Sequence, residues 1–374
     1  MEFLHRTWAE IDTSALLHNL EIIRKSAGDS RVMAVVKANA YGHSVGDIAP
    51  KLQQNGVQMF AVSNIEEAIE LRQCGIENTV LILGYTPPQC AKSLAENNIT
   101  QTVFSFEYAR QLSDCAVKDG VSIAVHIKLD TGMGRIGFDC RDGALSGLDE
   151  AIAAAKLPAF DVTGVFTHFA VSDRNDEEED GFTDEQYNRF SLAVKRFNDA
   201  GFKEILHHCC NSAALCKDTD KHLDICRAGI ILYGLTPSAT LDTGLDLKPV
   251  MTVKSVVSMV KTVKAGDTVS YGRTFKVTKD MKIATVTAGY ADGYPRLLSN
   301  KGSVIIRGKR ANIVGRICMD QFSVDVSHID GVSQGDEVLL FGDGLPVEEI
   351  AELCGTINYE IVCGISPRVP RIIK

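Results

Sequence analysis

The stretch Val32-Met33-Ala34-Val35-Val36-Lys37-Ala38-Asn39-Ala40-Tyr41-Gly42-His43 decides the fold. It opens as a short apolar run rich in valine, which is typical of a strand buried on both faces of a parallel sheet. Lys37 follows this run directly, and a lysine that ends an apolar strand is in an unusual position for a solvated charge. The stretch therefore predicts a buried strand with a lysine at its carboxyl end.

Seven further strand-like runs follow the first, and segments with helical spacing separate them. Leu16, Leu20 and Ile23, for example, are spaced like the apolar face of a helix. Eight strands alternating with helices over about 240 residues predict a (β/α)8 barrel. A doubly wound open sheet is the alternative, and it is disfavoured because no Gly-x-Gly-x-x-Gly follows the first strand. The eight predicted strands are Val32–Val36, Met59–Val62, Val80–Leu83, Gln101–Phe104, Ser122–Leu129, Val162–Thr167, Ile205–His208 and Asp224–Arg227.

The pattern changes after about residue 240, where strand-like runs are separated by Gly-Asp, Lys-Gly and Gly-Asp-Gly turns. Only Val347–Cys354 has helical spacing in this part of the sequence. We therefore expect a barrel domain over residues 1–240 and a mainly β domain over residues 241–374. The acidic run Asp173–Asp180 is interpreted as a solvated loop of the barrel domain.

Composition and charge exclude several classes of protein. The formal net charge is −9 and the basic residues are scattered, which argues against a nucleic-acid partner. The first twenty residues contain no uninterrupted apolar stretch, so we expect neither a signal peptide nor a membrane helix. Eleven cysteines without an export signal indicate a reducing cytoplasm. No two of them form a Cys-x-x-Cys pair, so we interpret them as buried apolar thiols and expect no metal.

Candidate chemistry follows the predicted strands, because the active site of a (β/α)8 barrel lies at the carboxyl ends of its strands. A buried lysine loses its charge readily and suits a Schiff base, although Lys37 alone fits a rim lysine equally well. Tyr41, four residues further on, is placed to reach a nearby anion. The candidates that follow the strands are Lys37, Arg135, His168, Asn211, Ser212, Arg227, Gly229 and Ile230.

The loops after the seventh and eighth strands form the usual phosphate site of such barrels. Ser212 supplies a hydroxyl there, and Gly229 permits close approach of the backbone. Taken singly, each also fits helix capping or a tight turn. A lysine, a phosphate site and the absence of a Walker-type loop together indicate a phosphorylated aldehyde cofactor.

These motifs resemble the alanine racemases, which are barrel-type pyridoxal-phosphate enzymes, and the resemblance extends over essentially the whole chain. The lysine motif alone also occurs in related barrel proteins, and the blocks of the C-terminal part make the resemblance specific. The matching blocks are Ala34–His43, Leu129–Arg135, Thr167–Phe169, Asn211–Ala213, Arg227–Ile230, Val269–Gly272, Gly289–Gly293, Gly315–Gln321, Ile357–Glu360 and Arg368–Arg371.

The resemblance implies a role for each matching residue. Lys37 would bind pyridoxal phosphate covalently, His168 would lie against the pyridine ring, and Arg227 would face the pyridine nitrogen. Arg135 would contact the phenolic oxygen and the substrate carboxylate, and Lys128 matches a position that is carbamylated in some members. Tyr271, Met319 and Asp320 would reach the substrate, with Tyr271 and Met319 supplied by the partner subunit of a homodimer. The implied phosphate ligands are Tyr41, Ser212, Gly229, Ile230 and Tyr359, beside Asn211.

The implied reaction is interconversion of L- and D-alanine by two bases, which supplies D-alanine for cell-wall peptidoglycan. Lys37 would act on the D-face and Tyr271 on the L-face of the α-carbon. A phenol is a poor base at neutral pH, so positive neighbours such as a Tyr271–His168–Arg227 chain are needed. A serine or broad-specificity racemase is the alternative. A decarboxylase is disfavoured because its C-terminal cysteine motif is absent, and a non-catalytic cofactor-binding protein because it would have no β domain.

Overall fold

The computed structural model describes residues 6–174 and 176–374. The chain divides into two compact units. The first, the barrel unit, combines Leu17–Ala40 with Val45–Lys248. The second, the β unit, combines Met1–Leu16, described from residue 6, with Tyr41–Ser44 and Pro249–Lys374. No helix among the described residues has the length and apolar character needed to cross a membrane.

Parallel strands form the wall of the barrel unit. Each of the first six pairs with the next one along the chain, and the eighth pairs with the first. Between the seventh and eighth, the Arg227 amide donates to the Cys210 carbonyl at 3.2 Å. The predicted (β/α)8 barrel is therefore confirmed as a nearly closed barrel. Its strands are Arg31–Val35, Met59–Val62, Thr79–Ile82, Ile99–Val103, Ile123–Asp130, Phe160–Phe166, Leu206–His208 and Ile225–Ala228, and a short strand, Phe138–Asp139, pairs with the fifth.

Helices connect the barrel strands, and several begin at side-chain caps. The Asn64 side chain accepts from the Glu67 amide and the Ser105 hydroxyl from the Tyr108 amide. The helices are Thr13–Ala27, which starts in the β unit, then Val45–Gln54, Ile65–Gln73, Ala91–Glu96, Phe106–Asp119, Leu148–Ala155, Glu177–Asp199 and Ser212–Lys217.

The interpretation of Asp173–Asp180 as a loop is wrong for its second half. Asp176 caps the helix Glu177–Asp199, because its side chain accepts from the Glu179 amide at 3.0 Å. The acidic residues lie in the first turn, where the helix dipole favours negative charge. Asn175, in the same run, lies outside the described residues.

The β unit contains a mainly antiparallel sheet. Met281–Val286 pairs with both Met251–Val263 and Phe322–Asp325, which closes part of the sheet into a barrel. Its other strands are Thr7–Ile11, Ser303–Ile306, Lys309–Val314, Glu337–Phe341 and Arg371–Ile373, and Thr268–Val269 and Phe275–Lys276 form a separate ribbon.

The expectation of a single helix in the β unit is wrong. Val347–Cys354 is helical as predicted, but Asn358–Gly364 is helical as well. The second helix is short and has residues of low helix propensity, so its sequence pattern is weak. Burial of Ile361 and Val362 stabilises it.

Candidate active site

Lys37 follows the first barrel strand, as predicted, and a left-handed turn comes directly after it. Ala38, Asn39, Ala40 and Tyr41 all have φ between 52° and 54°. A left-handed helical conformation costs about 1–2 kcal/mol per residue for L-amino acids. Two contacts hold the turn: the Ala38 amide donates to Glu67 Oε1, and Asn39 Oδ1 accepts from the Val45 amide, both at 2.7 Å. Such strain is characteristic of functional sites.

Arg227 of the eighth strand is the centre of a buried hydrogen-bond cluster. Its Nη1 lies 2.9 Å from His208 Nδ1, and its Nη2 lies 3.0 Å from His168 Nδ1. Nη2 also donates to the carbonyl oxygens of Thr167 and Cys209, at 3.0 and 2.8 Å. The guanidinium is thus fixed by four acceptors, all of them uncharged.

The guanidinium fixes the protonation of the histidines around it, since it can only donate hydrogen bonds. Nδ1 of His168 and Nδ1 of His208 must both be acceptors, which leaves the proton of each neutral ring on Nε2. His208 then donates to His126 Nδ1, at 2.9 Å. Burial and the charge of Arg227 lower the pKa of His168 and of His208 well below the ordinary value, and lower that of His126 to about 3. All three rings are neutral at pH 7.

Lys128 of the fifth strand is a buried amine next to the same cluster. Its Nζ donates to the Leu129 carbonyl at 2.6 Å and lies 5.4 Å from the centre of the Phe166 ring. Burial lowers the pKa of Lys128 to about 7, and the positive charges of Arg227 and Arg135 lower it further. A buried amine that is about half neutral at pH 7 can react with an electrophile.

Arg135 lies exposed at the same mouth of the barrel, at the end of a loop that Asp130 organises. The Asp130 carboxylate accepts from the backbone amides of Gly132 and Gly134, at 3.1 and 3.0 Å. After burial and Arg227, the charges of Lys128, Arg135 and Lys37 also lower the pKa of His168. The structure therefore brings these predicted residues to one mouth of the barrel.

The loops after the seventh and eighth strands are joined through side chains. Ser212 Oγ accepts from the Gly229 amide at 2.9 Å, which couples the two loops. Asn211 Oδ1 accepts from the amides of Ala213 and Ala214, both at 3.0 Å, and so caps the helix Ser212–Lys217. Ile230 begins a 3₁₀ turn directly after Gly229. These residues occupy the phosphate position that the sequence predicts, and part of their bonding is structural.

The β unit holds the remaining predicted residues. The rings of Tyr41 and Tyr359 have centroids 6.0 Å apart. Met319 is 52% exposed, and the Asp320 carboxylate accepts from Arg368 Nη2 at 2.8 Å.

Tyr271 is 71% exposed and lies in a tight turn rather than at the end of a strand. Its neighbours Ser270 and Arg273 have φ of 65° and 51°, which non-glycine residues rarely adopt. The Ser270 hydroxyl anchors the turn by donating to the Arg316 carbonyl at 2.6 Å. The turn therefore presents the Tyr271 phenol to solvent.

Two residues of the buried cluster, His126 and His208, were absent from the predicted site. His126 alternates with Lys128 and Asp130 along the fifth strand, and this period of two placed all three on one face. Gly164 of the sixth strand makes room for His126, because a Cβ there would lie 2.6 Å from the ring. The alternation was the signal that could have identified His126.

Comparison with known proteins gives one family over nearly the full chain. The family model described as alanine racemase, N-terminal domain, matches residues 11–237, and the one described as alanine racemase, C-terminal domain, matches residues 250–373. A curated alanine racemase of Desulforamulus reducens is 47% identical over 368 residues, which cover 98% of this chain and 98% of that protein. One of Clostridium perfringens is 48% identical over 372 residues, which cover 98% of this chain and 95% of that protein.

Solved structures agree. The alanine racemase of Clostridium difficile 630 matches with a TM-score of 0.93 at 40% identity, covering 100% of this chain and 97% of that chain. The alanine racemase of Bacillus anthracis with bound L-Ala-P matches with a TM-score of 0.91 at 36% identity, covering 100% of this chain and 96% of that chain. With both domain models matched and the relatives similar over almost their whole length, the chain belongs to the alanine racemase family.

Proposed function

We propose that this protein interconverts L- and D-alanine with pyridoxal phosphate, using Lys37 and the partner subunit's Tyr271 as bases on opposite faces of the α-carbon. The carrying observation is the buried cluster of Arg227, His168 and Lys128 at the barrel mouth where Lys37 emerges. Racemisation assays of the cofactor-loaded protein with several L-amino acids test it. We expect D-alanine to form fastest, and a folded, loaded protein that forms none would contradict the proposal.

The donor set at the mouth fits this cofactor chemically. Lys37 offers a primary amine for covalent attachment to an aldehyde. Ser212, Gly229 and Ile230 offer a hydroxyl and backbone amides where barrels of this kind bind phosphate. We propose that Asn211 and the neighbouring phenols of Tyr41 and Tyr359 complete the phosphate site.

Racemisation requires that a proton leave one face of the α-carbon and return to the other. Pyridoxal phosphate, when bound, acidifies the α-C–H bond by withdrawing electrons from it. Lys37 would hold or release the proton on the D-face, and Tyr271 on the L-face. The two residues exchange roles when the reaction runs in the opposite direction.

Arg227 and His168 would support the base on the L-face. His168 carries its proton on Nε2, because Nδ1 accepts from Arg227. That N–H can donate to the oxygen of Tyr271 and stabilise its deprotonated form. Arg227 itself does not release a proton, so it is a poor acid toward a pyridine nitrogen, which disfavours transamination.

We propose that Lys128 is carbamylated. Its buried ammonium form has cationic neighbours, Arg227 and Arg135, that destabilise it. The neutral amine can attack CO2, forming an N–C bond and releasing one proton, and the product is a carbamate anion. The anion would be attracted by both guanidiniums and would orient Arg135 toward the substrate carboxylate. Exposed Asp320 and Met319 are proposed as substrate contacts from the partner subunit.

At a fixed concentration of dissolved ¹³CO2, we expect one protein carbamate signal in ¹³C NMR that grows as pH rises through about 7. The sign follows from the pKa of Lys128, since the reactive neutral amine is lost below it. Lys128→Ala should lack the signal and lose up to about a hundredfold in kcat/KM, the penalty for a misplaced substrate-binding group. An identical signal in Lys128→Ala would refute carbamylation.

We propose that the protein acts as a homodimer. Tyr271, Tyr290 and Met319 are exposed by 71%, 43% and 52%. They belong to one patch, because the Tyr290 amide donates to the Cys318 carbonyl and Ser270 bonds to Arg316. Exposed aromatic and apolar residues grouped in this way mark an interaction surface.

Shared sites make a complementation experiment decisive. Lys37→Ala and Tyr271→Ala subunits should each be inactive, and mixing them should restore about a quarter of the sites, because half of the dimers are mixed and each mixed dimer has one intact site. Activity of the mixture after confirmed subunit exchange is the measurement. If exchange is complete and activity stays at the level of the parents, both bases belong to one chain.

A further inference from the structure

Three potential metal ligands lie together between the seventh and eighth barrel strands. One ligand atom each of Cys210, His222 and Cys226 lies within 4.8 Å of the other two. Both thiols are fully buried and the imidazole is half-buried. The thiol of Cys226 interacts with both of the other groups.

This cluster lies on the outer face of the barrel wall. Successive side chains of a strand point to opposite faces. Arg227 contacts His168 and His208 inside the barrel, so Cys226, one residue earlier, points outward. The cluster is therefore separate from the proposed catalytic mouth, although it shares a strand with it.

The imidazole of His222 is already oriented as a ligand. Its Nε2 lies 3.0 Å from the Leu215 carbonyl, which can only accept, so the neutral ring carries its proton there. Nδ1 is left with a lone pair. Metal-binding histidines have this same arrangement, in which the second ring nitrogen donates to a backbone carbonyl or carboxylate.

The ligand set selects a class of ion. Two thiolates and one imidazole suit a soft or borderline ion of the Zn²⁺ type rather than Mg²⁺ or Ca²⁺. With Zn–S of about 2.3 Å and Zn–N of about 2.0 Å, ligand atoms of a tetrahedral site are about 3.5–3.8 Å apart. Side-chain adjustment of about 1 Å from the present upper limit would give that geometry.

A route from solvent reaches the cluster. His222 lines a surface cleft of about 530 Å³, together with Ser30, Thr219 and Asp224. An ion can therefore approach through the imidazole side, and water can fill the fourth position that three protein ligands leave open.

We propose that Cys210, His222 and Cys226 form a binding site for one Zn²⁺-type ion, and that its occupation stabilises the seventh and eighth strands. The sequence did not suggest such a site, because the three residues are spaced 210, 222 and 226 without a Cys-x-x-Cys motif. The inference is independent of the proposed reaction, since none of its ligands takes part in that reaction.

The test uses the reduced holoenzyme after removal of metals and free cofactor, with Co²⁺ as the probe. We expect one equivalent of Co²⁺ to give the intense visible d–d bands of a tetrahedral site, and Zn²⁺ to abolish them. Zn²⁺ should raise the melting temperature by a few degrees, because it binds the folded state. Cys226→Ser and His222→Gln should lose both effects.

Cys216→Ser is the matched control, since Cys216 is a half-buried thiol on the adjacent helix outside the cluster. It should keep the Co²⁺ bands. X-ray absorption of the Zn²⁺-loaded native chain needs no variant, and it should show two sulfur ligands. Bands that persist in Cys226→Ser, a zinc shell of nitrogen and oxygen only, or a Cys210–Cys226 disulfide that resists mild reduction would each overturn the proposal.

Discussion

Lys37→Ala is expected to lose racemase activity and covalent cofactor attachment together. The loss should be on the order of 10⁴-fold or more, as for other residues that provide both covalent attachment and proton transfer. The left-handed turn at Ala38–Tyr41 fixes the backbone directly after Lys37, and the substitution leaves that turn unchanged. We therefore expect a folded protein whose defect is chemical.

Borohydride reduction followed by mass spectrometry of the peptides measures the attachment. The native protein should carry the reduced cofactor on the peptide that contains Lys37, and the variant should carry none. Lys118→Ala is the control, because Lys118 is an exposed lysine near the end of the helix Phe106–Asp119. A cofactor adduct on Lys128 in the active native protein would show that the wrong lysine was assigned.

The barrel strands could be predicted from the sequence because each is buried on both faces and so is continuously apolar. Met59–Val62 was predicted at its observed bounds, and the other seven lie within about two residues of them. The C-terminal ends of these strands then located Lys37, Arg135, His168 and Ser212. Position along the chain thus identified the barrel mouth before any contact was known.

What the sequence did not reveal depends on contacts between distant segments. Thr7–Ile11 pairs with both Met251–Val263 and Arg371–Ile373, and no local pattern signals a pairing between the two ends of a chain. The left-handed turn after Lys37 contains no glycine, so no residue type announces its positive φ values.

The buried cluster around Arg227 was predicted only in part for the same reason. The resemblance to a family supplied Arg227 and His168, whereas His208 and His126 follow from the pairing of strands. Arg227 fixes the protonation of His208, and His208 in turn donates to His126. A role that arises from a neighbour's protonation is visible only once the neighbour is in place.

Tyr271→Phe is expected to damage one direction of proton transfer more than the other. The substitution removes only the phenolic oxygen of a residue that is 71% exposed in this chain, so the fold should not change. If Tyr271 serves the L-face, exchange of the α-proton of L-alanine should fall by about 10²–10⁴-fold, the usual contribution of a general acid–base group. Exchange from D-alanine, which Lys37 would serve, should fall much less.

Deuterium incorporation from solvent into each enantiomer, followed separately at short reaction times, measures the asymmetry. Tyr290→Phe is the control, because Tyr290 is an exposed tyrosine of the same surface patch with no assigned proton. Equal loss of exchange from both enantiomers would favour a single base. The asymmetry has a second source to check. His168 can stabilise the deprotonated phenol only through its Nε2–H, and Arg227 holds the ring in that tautomer. An Arg227→Lys variant, whose ammonium cannot span His168 and His208 as a planar fork, should therefore reproduce the L-face defect without touching Tyr271.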